Sequence, residues 1–211
     1  KKIKDSTPFF SLKKEIVGED HYSKIEKISK FLKKNKSDYI FISAPENVAW
    51  LLNIRGHDNP NSPIPNCHLI MQRNKNFYLI SKIDAAKKLI KENKIKKDQI
   101  IEPKNFKLLM KKLNKGKIII DKKSCSLFYE NLFKNKFQIL KKDDPIYYLK
   151  SIKNSREING MINSHILDGV ALTKFLYWIK KINKKKITEV EASKKLENFR
   201  KLNKNFLYPS F

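Results

Sequence analysis

The sequence predicts an α/β domain with a mixed sheet flanked by helices, followed by a largely helical segment. Short runs of β-branched and aromatic residues alternate with amphipathic helical stretches up to about residue 143. Beyond that point only helical periodicity remains. Because parallel neighbours in a sheet need crossover connections, this alternation indicates a sheet covered by helices. We therefore expect a domain boundary near residue 143.

Composition limits the class of protein. Hydrophobic side chains make up 40% of the 211 residues, which is enough to form a core and argues against disorder. No run approaches the roughly 20 apolar residues of a membrane span, and the chain does not start with a secretory signal. The first residue is not Met, which suggests a chain cut from a longer one. The spacing of Cys67 and Cys125 fits neither a metal motif nor a disulfide framework, so a reduced cytosolic compartment is expected.

The formal net charge of +26 raises the alternative of a basic protein that binds polyanions non-specifically. Only four of the 47 basic residues are arginine, the residue that favours bidentate contacts to phosphates and bases. The lysines are also spread over every predicted helix. We therefore expect solvated lysine-rich faces and no specific nucleic-acid partner.

The first elements can be assigned in order. Residues 1–19 have few regular signals and are expected to form a linker. An amphipathic helix is predicted over 20–36, with an apolar face made of Tyr22, Ile25, Ile28 and Leu32. A strand over 39–43 precedes a helix over 45–53. Pro45 suits the first turn of that helix, and Trp50 adds a large apolar surface.

The later elements continue the alternation. Strands are predicted over 67–72, 77–81, 99–102, 117–121 and 137–140, and helices over 84–93, 104–114 and 124–135. Asp84 is expected to cap the helix over 84–93. The four residues between the strands 67–72 and 77–81 are expected to form the loop of a hairpin. After residue 143 helices are predicted over 145–151, from 154 to about 182, and from 188 to about 203. Capping boxes begin the last two, at Asn154 with Glu157 and at Thr188 with Glu191.

Two long motifs in this order carry a family resemblance. The stretch SAPENVAWLLNIRGHD, residues 43–58, closely resembles a segment of the aminopeptidase P family in the creatinase-like domain that precedes the catalytic one. The stretch DPIYYLKSIKNSREINGM, residues 144–161, followed by HILDGVAL, resembles the beginning of that family's catalytic domain. The resemblance covers essentially the whole chain.

The resemblance implies both a domain organisation and an activity. Residues 1–19 would be an interdomain linker, 20–143 the second creatinase-like domain, and 144–211 the first helices of a truncated pita-bread catalytic domain. Family members are cytosolic metallopeptidases, dimeric at full length, that remove the N-terminal residue from peptides with proline in second position. They use two metal ions, usually manganese, to activate a bridging water. The family's metal ligands follow the region that matches 208–211, so no catalytic or metal-binding residue is assigned here, and the fragment is expected to be inactive.

The turn after helix 45–53 supplies the candidate site. Related creatinase-fold enzymes line an active-site entrance with their non-catalytic domains, and by this resemblance Arg55, His57 and Asp58 could form a substrate-entrance rim. The alternative for Arg55 is an ion pair with an internal carboxylate that holds the turn. We expect Trp50, Asn53 and Gly56 to be structural anchors, with Gly56 free to adopt a positive φ.

Other titratable residues favour structural roles. His68 is expected to alternate faces with Cys67 in one strand, so the two cannot form a local pair. His165 and Asp168 stand three positions apart on one helix and are expected to share a hydrogen bond. Cys125 stands at a predicted helix start, which can depress a thiol pKa, but packing is the expected role. Besides the polyanion-binding protein, a non-catalytic interaction or regulatory module of the same fold remains an alternative.

Overall fold

The computed structural model describes residues 7–182, 186–207 and 209, and the first six residues of the predicted linker lie outside this range. The chain divides into two compact units, Lys1–Lys153 and Asn154–Phe211. This division falls after Lys153, later in the chain than the boundary that the sequence predicts near residue 143. No helix among the described residues is long and apolar enough to cross a bilayer.

The first unit contains eight strands and seven α-helices among its described residues. The strands are β1 (Phe10–Ser11), β2 (Tyr39–Ile42), β3 (Ile54–Arg55), β4 (His68–Gln72), β5 (Phe77–Ile80), β6 (Ile100–Ile101), β7 (Gly116–Ile120) and β8 (Phe137–Lys141). The helices are α1 (Lys14–Val17), α2 (His21–Lys34), α3 (Pro45–Leu52), α4 (Ile83–Lys91), α5 (Phe106–Lys112), α6 (Leu127–Lys134) and α7 (Pro145–Ser151). Two 3₁₀ turns, Lys97–Gln99 and Pro103–Asn105, precede β6 and α5.

Six strands form one mixed sheet in the order β6-β5-β4-β2-β7-β8, which confirms the predicted fold class. The hairpin of β4 and β5 is antiparallel, as is the pair of β2 with β4. The pairs β2–β7, β7–β8 and β5–β6 are parallel. A separate antiparallel ribbon joins β1 to β3, with Phe10 opposite Arg55.

Both faces of the sheet are covered, because successive side chains of each strand point to opposite sides. Along β2, Ile40 and Ile42 join the core formed with α2, α3 and α4, whereas Tyr39 and Phe41 join the core formed with α5 and α6. The Phe41 ring lies 4.8 Å from that of Tyr129 and 5.0 Å from that of Phe133, measured between centroids. The strand is therefore buried at every position.

Two details of the predicted helices are wrong. Tyr22 is 68% exposed, because the buried stripe of α2 runs along the neighbouring positions His21, Lys24, Ile25, Ile28, Ser29 and Leu32. Asp84 does not cap α4, whose N-cap is Lys82. Asp84 lies inside the first turn instead, where its carboxylate pairs with Lys87 at 2.6 Å.

The second unit consists of α8 (Ser155–Lys181) and α9 (Glu189–Lys201) among its described residues. Both predicted capping boxes are present, with reciprocal hydrogen bonds at the start of each helix. Asp168 accepts two hydrogen bonds from the Arg200 guanidinium, at 2.6 and 3.1 Å, which joins α8 to α9. His165 places Nδ1 2.8 Å from the Met161 carbonyl. The expected pairing of His165 with Asp168 is thus replaced, because a planar guanidinium gives the carboxylate two charge-assisted bonds.

Candidate functional site

The candidate site begins at the C-terminal end of α3. Val48, Leu51 and Leu52 are fully buried, so this helix is fixed against the sheet. Asn53 ends it in the left-handed conformation, with φ 52° and ψ 45°. Asparagine adopts this conformation more readily than most other non-glycine residues. The positive φ predicted at Gly56 is therefore wrong, because the chain reverses earlier, at Asn53.

The Asn53 side chain ties three segments together. Its Nδ2 donates to the Glu19 carbonyl at 2.8 Å, and its Oδ1 accepts from Lys24 Nζ at 2.7 Å. The Asn53 carbonyl accepts from the Leu12 amide at 2.8 Å. This side chain, which is only 3% exposed, therefore fixes α2 and the predicted linker against the end of α3.

Lys24 is a buried cation that the sequence analysis missed. The residue is 1% exposed, and its Nζ also donates to the Trp50 carbonyl at 3.0 Å. The same nitrogen lies 3.9 Å from the centroid of the Trp50 ring, in cation–π geometry. Trp50 itself is partly buried and packs against the core beneath α3. The sequence does contain a sign of this burial, because Lys24 stands four residues before Ile28 and therefore lies within the apolar stripe of α2.

Gly56 follows β3 at a point where the chain has no room for a side chain. A Cβ there would lie 2.9 Å from Cα of Pro65 and 3.2 Å from Cδ1 of Phe9. The Gly56 amide donates to the Pro63 carbonyl at 3.2 Å, which joins the two sides of the loop that follows β3. Close approach of the backbones, and not a special φ, therefore requires glycine at this position.

Replacing Gly56 by alanine is expected to lower the free energy of unfolding by about 1–3 kcal/mol, because backbone atoms of Pro65 must move. Urea denaturation followed by circular dichroism measures the change. Gly160→Ala serves as the control, since a Cβ there meets nothing within 4 Å and alanine favours the helix. A Gly56→Ala variant as stable as the parent would show that the loop opens freely.

Arg55 and His57 lie on either side of Gly56. The Arg55 guanidinium donates to the carbonyls of Ile54 and Ala49, at 2.8 and 3.2 Å, which braces the turn after α3. The His57 ring stacks on Phe10 at 5.4 Å between centroids, and its backbone amide donates to Thr7 Oγ1 at 2.9 Å. His57 is exposed, so its imidazole is accessible from solvent.

Asp58 clamps the loop that follows. Its Oδ1 accepts hydrogen bonds from the amide and the hydroxyl of Thr7, at 2.8 and 2.9 Å. Its Oδ2 accepts from the Asn66 amide at 2.8 Å. The carboxylate therefore joins both ends of the proline-rich loop to the segment before β1. The structure brings Arg55, His57 and Asp58 to one turn, but it gives Asp58 backbone and hydroxyl partners that hold the loop.

A second polar network, also missed by the sequence analysis, lies at the carboxyl ends of β2 and β7. Asn47, fully buried, donates from Nδ2 to Asp144 Oδ2 at 2.7 Å and accepts from Lys150 Nζ at 2.6 Å. Asp144 also caps α7 by accepting from the Ile146 amide at 2.9 Å. Burial raises the pKa of Asp144 above its usual range, although both hydrogen bonds oppose this. This network attaches the start of α7 to α3.

Neighbouring polar residues close the same edge of the sheet. Asp121 accepts from the Ser124 hydroxyl at 2.7 Å, and Ser124 in turn contacts the Ser43 hydroxyl at 2.7 Å. His68 Nδ1 lies 2.7 Å from the Ser43 carbonyl, and burial lowers the pKa of its imidazole. Its ring contacts Phe41 and Tyr129 on the face opposite Cys67, as the strand alternation predicts.

Neither cysteine has the environment of a reactive thiol. Burial raises the pKa of the Cys67 thiol far above its usual value. Burial and the nearby Glu130 and Asp121 carboxylates raise the pKa of the Cys125 thiol to about 11. The helix after Cys125 begins only at Leu127, so the thiol is not at its N-terminus. Among the described residues, no three His, Cys, Asp or Glu side chains are grouped as metal ligands.

Comparison with known proteins extends these observations. The sequence model of the Creatinase/Prolidase N-terminal domain family matches residues 1–157. The chain is 31% identical over 209 residues to "Xaa-Pro aminopeptidase 1" of Dictyostelium discoideum, which covers 96% of this chain and 33% of the relative. It is 30% identical over 231 residues to "Probable Xaa-Pro aminopeptidase P" of Pyricularia oryzae, and this match covers 100% of this chain and 37% of the relative. The chain thus spans about a third of the length of these relatives.

Solved structures show the same fold. The X-prolyl aminopeptidase from Caenorhabditis elegans, described as a cytosolic enzyme with a di-nuclear active site, superposes with a TM-score of 0.83 at 22% identity. The match covers 98% of this chain and 35% of that one. Xaa-Pro dipeptidase from Bacillus anthracis gives a TM-score of 0.65 at 14% identity, over 87% of this chain and 49% of that one. With the family match over most of its residues and Xaa-Pro aminopeptidases as relatives along its whole length, this chain belongs to the creatinase/prolidase N-terminal domain family.

Proposed function

We propose that this chain is part of a metal-dependent Xaa-Pro aminopeptidase, which removes the N-terminal residue of peptides with proline in second position. The observation that carries the proposal is the alignment of the whole chain with relatives named as Xaa-Pro aminopeptidases. Of the two motifs that resemble aminopeptidase P, residues 43–58 lie in the first compact unit, and residues 144–161 span the division between the two units after Lys153. The interaction-module and polyanion-binding alternatives gain no support from these relatives.

The proposed organisation assigns residues 1–19 to a linker, 20–143 to a creatinase-like domain and the helices after 144 to the beginning of a catalytic domain, with the first of these helices, α7, packed against the creatinase-like domain through Asp144. In this arrangement the two metal ions, manganese or similar divalent ions, belong to a longer protein. The described residues of this chain offer no grouped ligands for them, so no step of hydrolysis is assigned to these residues. A cytosolic homodimer is proposed for the longer protein, in keeping with the cytosolic nematode enzyme.

The exposed apolar surface of the second unit supports this arrangement. Along α8 many large apolar side chains are exposed, among them Ile158, Met161, Ile162, Ile166, Val170 and Leu176. Contiguous apolar surface of this kind is rare on an isolated soluble domain and marks a surface that another element covers. In the proposed longer protein, the remaining part of the catalytic domain covers it.

Within the longer protein, we assign this chain a role at the substrate entrance. Arg55 and His57 lie beside Gly56 on a turn that the buried Asn53 and Lys24 hold rigidly. Asp58 fixes the loop behind them through Thr7 and keeps the turn in place. A guanidinium at such a rim would attract the carboxylate end of a short peptide.

The residue-level prediction concerns Arg55→Ala in the full reading frame that encodes this chain. We expect KM for an Xaa-Pro peptide to rise about threefold to tenfold, with kcat unchanged within about twofold, because uniform binding is lost. Arg73→Ala is the matched control, since Arg73 is paired with Asp38 at 3.1 Å on the hairpin loop, away from this turn. A thermal melt separates a folding defect from a binding defect. Equal KM values for both variants would show that Arg55 does not contribute to substrate binding at the entrance.

The proposed activity has its own test. The product of the complete reading frame is purified and incubated with an Xaa-Pro peptide and with the same peptide carrying alanine in second position. We expect release of the first residue from the proline peptide alone, loss of release after chelation, and recovery with manganese. Metal analysis should find two ions per chain. A product that cleaves neither peptide, or that cleaves without metal, would overturn the proposal.

A further inference from the structure

A cavity of about 390 Å³ in the first unit is lined by residues other than those of the turn that carries Arg55. It is formed by the start of α2, the loop between β4 and β5, and the connection that follows α4. Its lining includes His21, Tyr22, Lys75, Asn76, Lys94 and Lys96. The volume lies within the range of small-ligand sites. Neither the proposed peptidase function nor the family resemblance uses these residues.

Lys94 is the half-buried lysine among the residues that line this cavity. It follows α4, where Asn93 takes a left-handed conformation with φ 52° and the Lys94 amide donates to the Leu89 carbonyl at 3.0 Å. The chain turns at this helix ending, and Lys94 is half-buried there. Burial lowers the pKa of its ammonium group, against the more distant attraction of Glu92 and Asp20.

The acidic residues near Lys94 already have other partners. Asp20 caps α2 by accepting from the Ser23 amide at 2.8 Å. Glu92 accepts from the Ser11 hydroxyl and lies 3.9 Å from Lys88 Nζ. Among the described residues, no carboxylate oxygen lies within ion-pair distance of Lys94 Nζ. A half-buried cation without a close counter-ion is unfavourable, and an anion in the cavity would relieve the cost.

The charge of the lining has the same sign. Its charged residues are three lysines and one glutamate, Glu26, which pairs with Lys75 at 2.5 Å. The cavity therefore carries two uncompensated positive charges. The His21 wall adds none at neutral pH, since burial and the neighbouring Lys94 lower the pKa of its imidazole to about 4. The side-chain amides of Asn76 and Gln99 supply further donors at the rim.

We propose that this cavity binds the phosphate groups of a small molecule, with Lys94 as the central contact and Lys75 and Lys96 at the rim. A diphosphate matches the excess of two positive charges and the number of donors. Tyr22 adds a flat surface at the mouth, because its ring is 68% exposed and lies 4.0 Å from the His21 ring, between centroids. A planar ring attached to the phosphates, as in a nucleotide, could stack there.

The test is calorimetric titration of the purified chain with pyrophosphate, ADP and adenosine at pH 7 and about 0.15 M salt, where non-specific attraction is screened. We expect pyrophosphate and ADP to bind and adenosine not to bind. Lys94→Gln should weaken pyrophosphate binding by about tenfold or more, whereas Lys91→Gln should change it less than about twofold. Lys91 is an exposed lysine in the last turn of α4, so this control removes the same charge three residues before Lys94.

Each outcome decides for or against the proposal. Tighter binding of ADP than of pyrophosphate, lost in Tyr22→Ala, supports a nucleotide; equal binding of the two supports a ligand held by its phosphates alone. Absence of pyrophosphate binding overturns the proposal. Equal weakening by Lys94→Gln and Lys91→Gln also overturns it, because binding would then follow the net charge of the chain. Melting curves of both variants show whether Lys94→Gln is folded, which is expected since it removes a half-buried charge.

Discussion

Replacing Lys24 by methionine is expected to lower the free energy of unfolding by about 3–5 kcal/mol, one of the largest single-residue effects in this chain. Methionine keeps most of the apolar stem and removes the ammonium group. The buried Asn53 Oδ1 then loses its donor, Lys24 Nζ, which lies at 2.7 Å in the parent. The Trp50 carbonyl loses its bond from the same nitrogen at 3.0 Å and keeps the bond from the Asn53 amide at 3.3 Å. Leaving the buried Asn53 oxygen without that donor costs its desolvation. The cation–π contact with Trp50 is lost as well.

The measurement is urea denaturation followed by circular dichroism, with Lys27→Met as the matched control. Lys27 lies one turn further along α2 and pairs with Glu19 at 2.7 Å on the surface. Exposed pairs of this kind contribute less than about 1 kcal/mol. If both variants lost the same stability, the buried ammonium would not be what holds α2 to the end of α3.

Replacing Asp144 by alanine is expected to have the second large effect, lowering the free energy of unfolding by about 2–4 kcal/mol. The substitution removes the N-cap of α7 and leaves Nδ2 of the fully buried Asn47 without its acceptor. Asp143→Ala is the control, because the neighbouring carboxylate is 76% exposed and pairs with the exposed Lys123 at 3.2 Å. Limited proteolysis gives a second measurement. Cleavage between about 141 and 154 should accelerate in the Asp144 variant alone, as α7 is released from α3.

The pH dependence of this site has a definite sign. Burial raises the pKa of Asp144 in the folded state above its value in the unfolded chain. Between these two values the folded state binds more protons, so ionisation of Asp144 reduces stability as the pH rises. Below the unfolded pKa this penalty is absent. The stability advantage of the parent over Asp144→Asn should therefore shrink as the pH rises from about 4. An advantage that grew with pH would show that the ionised carboxylate is favoured by folding.

The same network bears on the proposed domain organisation. The sequence places a boundary near 143, where strands cease to alternate with helices. Asp144 and Ile146 are nevertheless buried in the first unit, and Ile146 belongs to the core beneath α3. We therefore propose that α7 stays attached to the creatinase-like domain. Periodicity marks where the sheet ends, but it cannot show which surface a following helix covers.

The candidate turn shows the same limit of local reasoning. The sequence identifies the strand, the helix and the turn that bring Arg55, His57 and Asp58 together, because these elements depend on local propensity and apolar spacing. It assigns the left-handed residue to Gly56, the residue most tolerant of a positive φ, whereas Asn53 adopts it. Asn53 is stabilised there by bonds to Glu19 and Lys24, which are distant in sequence.

What the sequence determined by itself is the order along the chain of the six strands of the main sheet, the mixed α/β fold and the family, since each follows from patterns that repeat over many residues. Only the tertiary structure decided which polar residues are buried. Lys24, Asn47 and Asp144 resemble surface residues in sequence, and each is buried because its hydrogen-bond partners arrive from other elements. The half-buried Lys94 likewise depends on α2 and the β4–β5 loop, which form the other walls of its cavity. Burial of a charge depends on these distant partners, and no local pattern contains them.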